Sequence, residues 1–258
     1  IAIADINSPY RDYFYFRQGK ADGTPPDNLR SYFGGSVWEK VPNEDNTYYL
    51  HYFAKEQPDL NWENPKVRKE VQEILRFWLE KGIDGFRMDV ITLISKDPAY
   101  PDGPVIQNKA YGSYYAGCAS GPRVHEYLQE MNREVLSKYD IMTVGEAPHT
   151  SADEAAPYTA SDRHELNMVF HFDLRHLDYD ENGKYAKNRV YLTGVKEGMT
   201  KWQDTISEDY QNLKEIVLEK RRDEMLDKWI REKQKHTYVR INDNWKNCTF
   251  KYPGWVKD

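Results

Sequence analysis

The sequence contains few cysteines, no long apolar run and no excess of positive charge. Its 258 residues include two cysteines, Cys118 and Cys248, which cannot form a disulfide framework. No segment approaches the roughly 18 consecutive apolar residues of a membrane-spanning helix. The 36 Lys and Arg against 42 Asp and Glu give a net charge of -6, so the charge does not favour a nucleic acid partner. We therefore expect neither a membrane nor a nucleic acid as partner.

Motifs for metal, nucleotide and serine chemistry are also missing. No histidines and cysteines have zinc spacing, no glycine-rich loop follows a strand, and no serine lies in a nucleophile elbow. We therefore predict no metal and no cofactor. The chain begins at Ile1 with neither an initiator methionine nor a basic-then-apolar leader. This start indicates a fragment, a processed chain or an incomplete record, and we expect a cytoplasmic protein.

The most informative segment is GFRMDV at residues 85–90, an apolar strand that ends with the carboxylate of Asp89. Arg87 lies two residues earlier and therefore on the same side of the strand. A guanidinium beside an aspartate keeps it ionised, as the nucleophile of a retaining glycosidase must be. Taken alone, Asp89 is equally consistent with a buried aspartate that caps the next helix.

A second carboxylate, Glu146, lies near the end of another apolar run, in VGEA at residues 144–147. It follows Asp89 by 57 positions, enough for one barrel unit of about 30 residues with a decorated loop. Asp89 and Glu146 are then expected on adjacent strands at one rim, where two carboxyl groups can approach to about 5 Å. Taken alone, Glu146 is consistent with a first-turn glutamate favoured by a helix dipole. Two strand-end carboxylates in successive units favour catalysis.

These segments, together with QPDLNW at residues 57–62, resemble motifs of the alpha-amylase family of glycoside hydrolases, in its oligo-1,6-glucosidase and alpha-glucosidase branch. The resemblance runs from about residue 8 to about residue 203. It implies that Asp89 is the nucleophile, that Glu146 is the general acid and base, and that Arg87 contacts the nucleophile. Val90 resembles the form found in enzymes that cut alpha-1,6 bonds. Arg87 and Val90 are therefore predicted to bind a small oligosaccharide substrate, such as an isomalto-oligosaccharide.

Periodicity predicts alternating helices and strands between residues 63 and 206. Asn64 and Pro65 begin a helix that Gly82 ends, and a strand at 83–90 follows. A second helix leads into a strand at 141–144, and a further strand is predicted at 166–173. Helix followed by strand is the pattern of a parallel α/β sheet. The predicted apolar faces are Val67, Val71, Ile74, Leu75, Trp78 and Leu79 on the first helix, and Val124, Tyr127, Leu128, Met131 and Val135 on the second.

Residues 1–62 are predicted to form a turn-rich lobe with little helix, which by the resemblance is inserted after the third barrel strand and forms one wall of the sugar cleft. Most of its aromatic side chains are expected to fill a small core, and none is assigned a ligand. Residues 96–122 are predicted to form a long loop that shapes substrate access. His149 and His171 are interpreted as structural histidines.

Part of the family pattern is missing. The family has a third catalytic Asp after an Asn-His pair late in the barrel, and an Asn-His segment on its third strand, and neither occurs in this sequence. The resemblance therefore implies an α/β fold with an incomplete (β/α)8 TIM barrel, about strands four to six. Because an open barrel lacks the loops of its other units, we predict little or no glycosidase activity for this polypeptide alone.

The composition changes after about residue 206. Residues 207–258 are strongly charged, and they are predicted to form a long solvated helix followed by a strand at 237–241. This tail resembles the C-terminal end of parvulin-type periplasmic prolyl isomerase chaperones, in the helix with DKWI at 227–230, the strand YVRI at 238–241 and YPGW at 252–255. The resemblance implies an unfolded-polypeptide client and a periplasmic location. An unrelated amphipathic helix, or a tail of different origin joined to the domain, is the alternative.

Overall fold

The computed structural model describes residues 1–105, 111, 118–172 and 192–236, the side chains of 192–194 and 203–220 excepted. The chain divides into two compact units, Ile1–Thr205 and Ile206–Asp258. Among the helices of the described part, none is long and apolar enough to cross a membrane. The strand predicted at 237–241, the YPGW segment, Cys248 and Asp173 lie outside the described residues, as does most of the loop between 106 and 117.

A small antiparallel sheet lies within the first 62 residues. Its strands are β1 (Phe16–Gln18), β2 (Trp38–Lys40) and β3 (Thr47–Leu50), in the order β1-β3-β2. The central strand β3 is buried along its whole length. Tyr15 and Trp38 pack with Leu50 and Tyr52 in an aromatic core, while Phe33 is exposed. The aromatic side chains therefore divide between a core and a surface.

The first long helix, α1 (Pro65–Leu79), begins as predicted. The side chain of Asn64 accepts a hydrogen bond from the backbone N–H of Lys66 at 2.9 Å, and Pro65 occupies the first turn. The predicted apolar face is wrong at two positions, because Ile74 and Trp78 are exposed while Val67, Leu75 and Leu79 are buried. An apolar pattern marks the arc of a helix that can be covered, but it does not show which part of that arc has a neighbour.

A parallel sheet of three strands follows, with the strands β4 (Gly85–Met88), β5 (Met142–Ala147) and β6 (Met168–His171) in chain order across it. The predicted strands at 83–90 and 166–173 are therefore too long. In the first case the strand ends because Val90 adopts a left-handed conformation, and a short 3-10 helix, Ile91–Leu93, follows.

Helices cover one face of this sheet. The helix α2 (Val124–Glu134) buries all of its predicted apolar residues, together with Val135 just after its end. α1 and α2 share a core with Met88 of β4. The helix α3 (Ala152–Thr159) begins at a capping box formed by Ser151 and Glu154, and its Ala152 and Ala155 pack against Trp202 of the long helix α4 (Leu192–His236). The alternation of strand and helix is that of an α/β fold.

Candidate active site

Asp89 and Glu146 lie side by side at the carboxyl ends of two neighbouring strands. Met88 at the end of β4 is the register partner of Gly145 in β5, so the residues that follow them, Asp89 and Glu146, lie level with each other. The carboxyl ends of adjacent parallel strands lie at the same edge of a sheet. A carboxylate at the end of each of these two strands therefore lies at one rim. The structure thus brings together the two carboxylates that the sequence predicted to be neighbours.

Arg87 connects the two carboxylates. Its Nη1 atom donates a hydrogen bond to Oδ1 of Asp89, and its Nη2 atom donates one to Oε2 of Glu146. The side chain of Asp89 is 74% exposed, whereas that of Glu146 is only 14% exposed. One guanidinium therefore bridges an open carboxylate and a sheltered one.

The surroundings shift the two carboxyl pKa values in opposite directions. The hydrogen bond from Arg87 holds the pKa of Asp89 below its ordinary value. Burial raises the pKa of Glu146, and the neighbouring Asp89 adds to this effect, while the Val90 N–H and the charge of Arg87 act against it. At pH values between these two pKa values, the rim therefore favours an ionised Asp89 beside a protonated Glu146.

Val90 touches this rim through its backbone. Its φ of 38° and ψ of 42° lie in the left-handed region, which a β-branched residue rarely adopts. In this conformation the N–H of Val90 donates to Oε2 of Glu146 at 3.3 Å. The turn after β4 therefore holds the carboxylate of the next strand, a role that sequence alone did not suggest.

Phe170 completes the described surroundings of Arg87. It is the register partner of Glu146 on β6, and its ring centroid lies 5.7 Å from the guanidinium carbon of Arg87. Sequence reasoning did not assign Phe170 to the site. The alternation of side chains along β6 could have indicated the position of Phe170, because it puts Phe170 on the same face of the sheet as Met168.

A buried cation, Lys96, lies in the segment after Asp89, and sequence reasoning also missed it. Its Nζ atom donates to the carbonyl oxygen of Leu93 at 2.5 Å and lies 3.6 Å from Oδ1 of Asp59. The same atom lies 4.1 Å from the centroid of the Tyr52 ring. Burial lowers the pKa of Lys96, and Asp59 opposes that shift. Since Asp59 belongs to QPDLNW, this pair joins the QPDLNW segment to the loop that follows the candidate nucleophile.

The two histidines near the rim differ in their surroundings. His171 stacks on Trp202, with ring centroids 3.4 Å apart and nearly parallel planes. His149 is exposed, with a φ of 55°. Across the described residues, no three His, Cys, Asp or Glu side chains come together as a metal site would require.

Comparisons with known proteins point to one family. The family described as alpha amylase, catalytic domain, matches residues 2–237. An oligo-1,6-glucosidase from Parageobacillus thermoglucosidasius is 55% identical over 197 residues, which are 76% of this chain and 35% of the relative. A trehalose-6-phosphate hydrolase from Bacillus subtilis is 46% identical over 202 residues, 78% of this chain and 35% of the relative. The chain thus spans about a third of the length of the curated relatives it matches.

Solved structures give the same result for the fold. The crystal structure of trehalose-6-phosphate hydrolase from Bacillus licheniformis matches with a TM-score of 0.70 and 43% identity, covering 81% of this chain and 36% of that one. An isomaltulose synthase from Klebsiella sp. LX3 matches with a TM-score of 0.72 and 43% identity, covering 80% and 36%. The family match continues to residue 237, well into the tail at 207–258. These matches give no support to the chaperone resemblance or to a polypeptide client.

Proposed function

Because the chain belongs to the alpha-amylase family of glycoside hydrolases, we propose that it is part of a retaining alpha-glucosidase that cleaves short alpha-glucans. The observation that carries the proposal is the pair of carboxyl groups at one rim, bridged by Arg87 and shifted in opposite directions in pKa. Two titratable groups whose environments separate their pKa values are the pattern expected of a nucleophile and a general acid.

The proposed reaction has two steps. First, a carboxylate oxygen of Asp89 forms a bond to the anomeric carbon while the glycosidic C–O bond breaks, and Glu146 gives its proton to the leaving oxygen. Glu146 is then ionised, and it takes a proton from a water molecule whose oxygen attacks the same carbon. The bond to Asp89 breaks, the sugar leaves with retained configuration, and both carboxyl groups return to their starting states.

Arg87 and Val90 position these groups. The guanidinium favours the ionised form of Asp89, which is the form that attacks. The N–H of Val90 holds Oε2 of Glu146 and so helps to fix the orientation of the carboxyl group that gives up its proton. Both roles follow from the contacts of the rim.

We further propose that β4, β5 and β6 are three consecutive strands of a (β/α)8 barrel. In this proposal residues 1–62 are the inserted lobe that forms one wall of the sugar cleft, residues 63–206 are a partial barrel, and residues 207–258 are a tail. The parallel order of the strands, with helices on one face, supports it. It also explains why a chain with both candidate carboxylates is expected to be a poor catalyst by itself.

The proposed substrate is an oligosaccharide with an alpha-1,6 bond. Several relatives of this chain are oligo-1,6-glucosidases, and the residue after the candidate nucleophile is Val90, the form that resembles alpha-1,6-cleaving enzymes. The relatives also include a trehalose-6-phosphate hydrolase. Isomaltose and trehalose 6-phosphate are therefore the two substrates to compare.

A chimera tests the proposal directly. The matched segment of the Parageobacillus oligo-1,6-glucosidase is replaced by the corresponding residues of this chain, which are 55% identical to it. We expect the chimera to hydrolyse isomaltose, and to be labelled at Asp89 by an activated 2-fluoro-glucoside, as read by mass spectrometry of its peptides. Asp89→Asn should lower kcat/KM at least 1000-fold and abolish the label.

The matched control is Asp140→Asn, which changes an aspartate in the turn before β5. It should leave both hydrolysis and labelling unchanged. A folded chimera that carries the label elsewhere, or that keeps its rate in the Asp89→Asn variant, would contradict the assigned roles.

A further inference from the structure

The short 3-10 helix Ile91–Leu93, which follows Val90, is packed between two hydrophobic cores. Ile91 belongs to the core that α1 and α2 form with the parallel sheet, whereas Leu93 belongs to the aromatic core that contains Trp38. All three residues of the helix are buried. The backbone just after the candidate nucleophile is therefore held by packing on two sides.

One side of this helix lies against β5 at Gly145, the residue before Glu146. A Cβ atom added to Gly145 would come within 2.9 Å of Cγ2 of Ile91 and within 2.7 Å of Cδ1 of Leu166. Both distances are shorter than van der Waals contact, so only a glycine allows Ile91 to pack this close to the backbone of β5. The missing side chain of Gly145 therefore brings the helix close to Glu146.

The end of the helix is held by Lys96. The Nζ atom of Lys96 donates to the carbonyl oxygen of Leu93 at 2.5 Å and lies 3.6 Å from Oδ1 of Asp59. The other oxygen of this carboxylate accepts the N–H of Tyr52 at 2.8 Å. Lys96 is only 4% exposed, and a buried ammonium group that loses its partners pays a large desolvation penalty. The cation therefore fixes the end of the helix to the QPDLNW segment.

The start of the same helix carries the contact to Glu146. The N–H of Leu93 donates to the carbonyl oxygen of Val90 at 2.9 Å, which closes the 3-10 turn. Val90 has the left-handed φ of 38°, and its N–H donates to Oε2 of Glu146 at 3.3 Å. A β-branched residue keeps such a conformation only where its surroundings impose it. Leu93 joins the two ends of the helix, since its N–H holds Val90 and its carbonyl oxygen is held by Lys96.

We propose that Lys96 is a positioning residue for Glu146, acting through the 3-10 helix that keeps the Val90 N–H in place. The inference rests on the proposed function for the role of Glu146 as general acid and base. It extends the site to a buried lysine seven positions after the candidate nucleophile.

The contact matters because it acts on the acidity of Glu146. The N–H of Val90 favours the ionised carboxylate and lowers its pKa, whereas burial and the neighbouring Asp89 raise it. The charge of Arg87 acts in the same direction as the N–H, and the facing residue on β6 is the uncharged Phe170. Glu146 gives up its proton in the first step of the proposed reaction, so a turn that moves away from it leaves a weaker acid.

Nuclear magnetic resonance of the full chain tests this role without substrate. Valine amides labelled with 15N report the exchange of the Val90 N–H with water in the native state, and glutamate carboxyl groups labelled with 13C report the titration of Glu146. In Lys96→Met we expect the Val90 N–H to exchange at least about tenfold faster, because the turn opens locally. The titration of Glu146 should move to higher pH. The N–H of Val71, inside α1, should remain protected in both proteins.

Two further variants accompany this measurement. Lys20→Met is the matched control, since Lys20 pairs with Asp102 at 2.9 Å with both side chains about half exposed, and it should change neither signal. Asp59→Asn keeps the shape of the carboxylate and removes its charge, so it should move both signals in the same direction as Lys96→Met but by less. It also provides the test if Lys96→Met does not fold.

The proposal is overturned if a folded variant at Lys96 or Asp59 keeps the wild-type exchange of Val90 and the wild-type titration of Glu146. It is also overturned if Val71 loses its protection together with Val90, which a purely structural role of the lysine predicts. Both signals are read without turnover. A rim that responds as expected in a chain whose chimera is inactive would therefore count against the proposed function and not against the positioning role.

Discussion

The pKa values of the two carboxyl groups at the rim shift in opposite directions because the groups differ in solvent exposure. Asp89 lies just beyond the end of β4 and remains open to solvent, so the hydrogen bond from Arg87 dominates its titration. Glu146 lies inside β5, one residue before the end of its strand, and is sheltered, so the cost of charging a buried group dominates. Two carboxyl groups at the same level of neighbouring strands thus acquire different pKa values because they differ in exposure.

The first prediction concerns the pH dependence of kcat/KM in the chimera that carries this rim. Asp89 must be ionised to attack, and its lowered pKa moves the acid limb below the ordinary 3.8. Glu146 must be protonated to donate, and its raised pKa moves the basic limb above the ordinary 4.5. Arg87→Met removes the charge that lowers both pKa values, so both limbs should shift to higher pH, as initial rates on isomaltose would show.

Arg123→Gln is the control for this profile. Arg123 pairs with Glu126 on the surface of α2, away from the rim contacts, and its removal should leave both limbs in place. An acid limb that does not move in Arg87→Met would show that the guanidinium does not set the ionisation of Asp89.

Val90 shows what sequence could not predict at the residue scale. The apolar run from 83 to 90 reads as one strand, yet the backbone turns to a φ of 38° at its last residue. A left-handed conformation at a non-glycine residue costs on the order of 1–3 kcal/mol and persists where the surroundings hold it. Here the hydrogen bond from the Val90 N–H to Glu146, 56 positions further along the chain, holds this conformation. No local pattern carries that information.

At the scale of elements, local signals predicted what local physics determines. The asparagine cap and the proline at the start of α1, and the apolar stripe of α2, fix where these helices begin and which face they bury. The order of the strands was also predictable, since consecutive parallel strands usually lie side by side. The exposure of Ile74 and Trp78 was not, because the apolar pattern of a helix does not show which part of its apolar arc packs against a neighbour.

The buried position of Lys96 was the clearest feature between two elements that the sequence did not predict. A lysine between a strand and a loop with several prolines and glycines is expected to be exposed to solvent. The second prediction is that Lys96→Met lowers the free energy of unfolding of the chain by about 3 kcal/mol, because it leaves Asp59 without its cation inside the protein. Urea unfolding followed by tryptophan fluorescence measures the change.

Lys20→Met provides the comparison for Lys96. Lys20 pairs with Asp102 at 2.9 Å, but both side chains are about half exposed, so the expected loss is below about 0.5 kcal/mol. Equal losses in the two variants would show that the buried pair does not join the QPDLNW segment to the loop after Asp89.

At the scale of the whole molecule, the last prediction concerns the rate of the isolated chain. A barrel site takes its loops from all eight units, whereas the described parallel sheet has three strands. Positioning by such loops accounts for a large part of an enzymatic rate, so Asp89 and Glu146 alone should hydrolyse isomaltose or nitrophenyl alpha-glucoside at less than about 0.1% of the kcat/KM of the chimera. The Asp89→Asn form of the isolated chain gives the background to subtract. A purified chain that turns over isomaltose at the roughly 1–1000 per second of ordinary enzymes would show that three strands suffice.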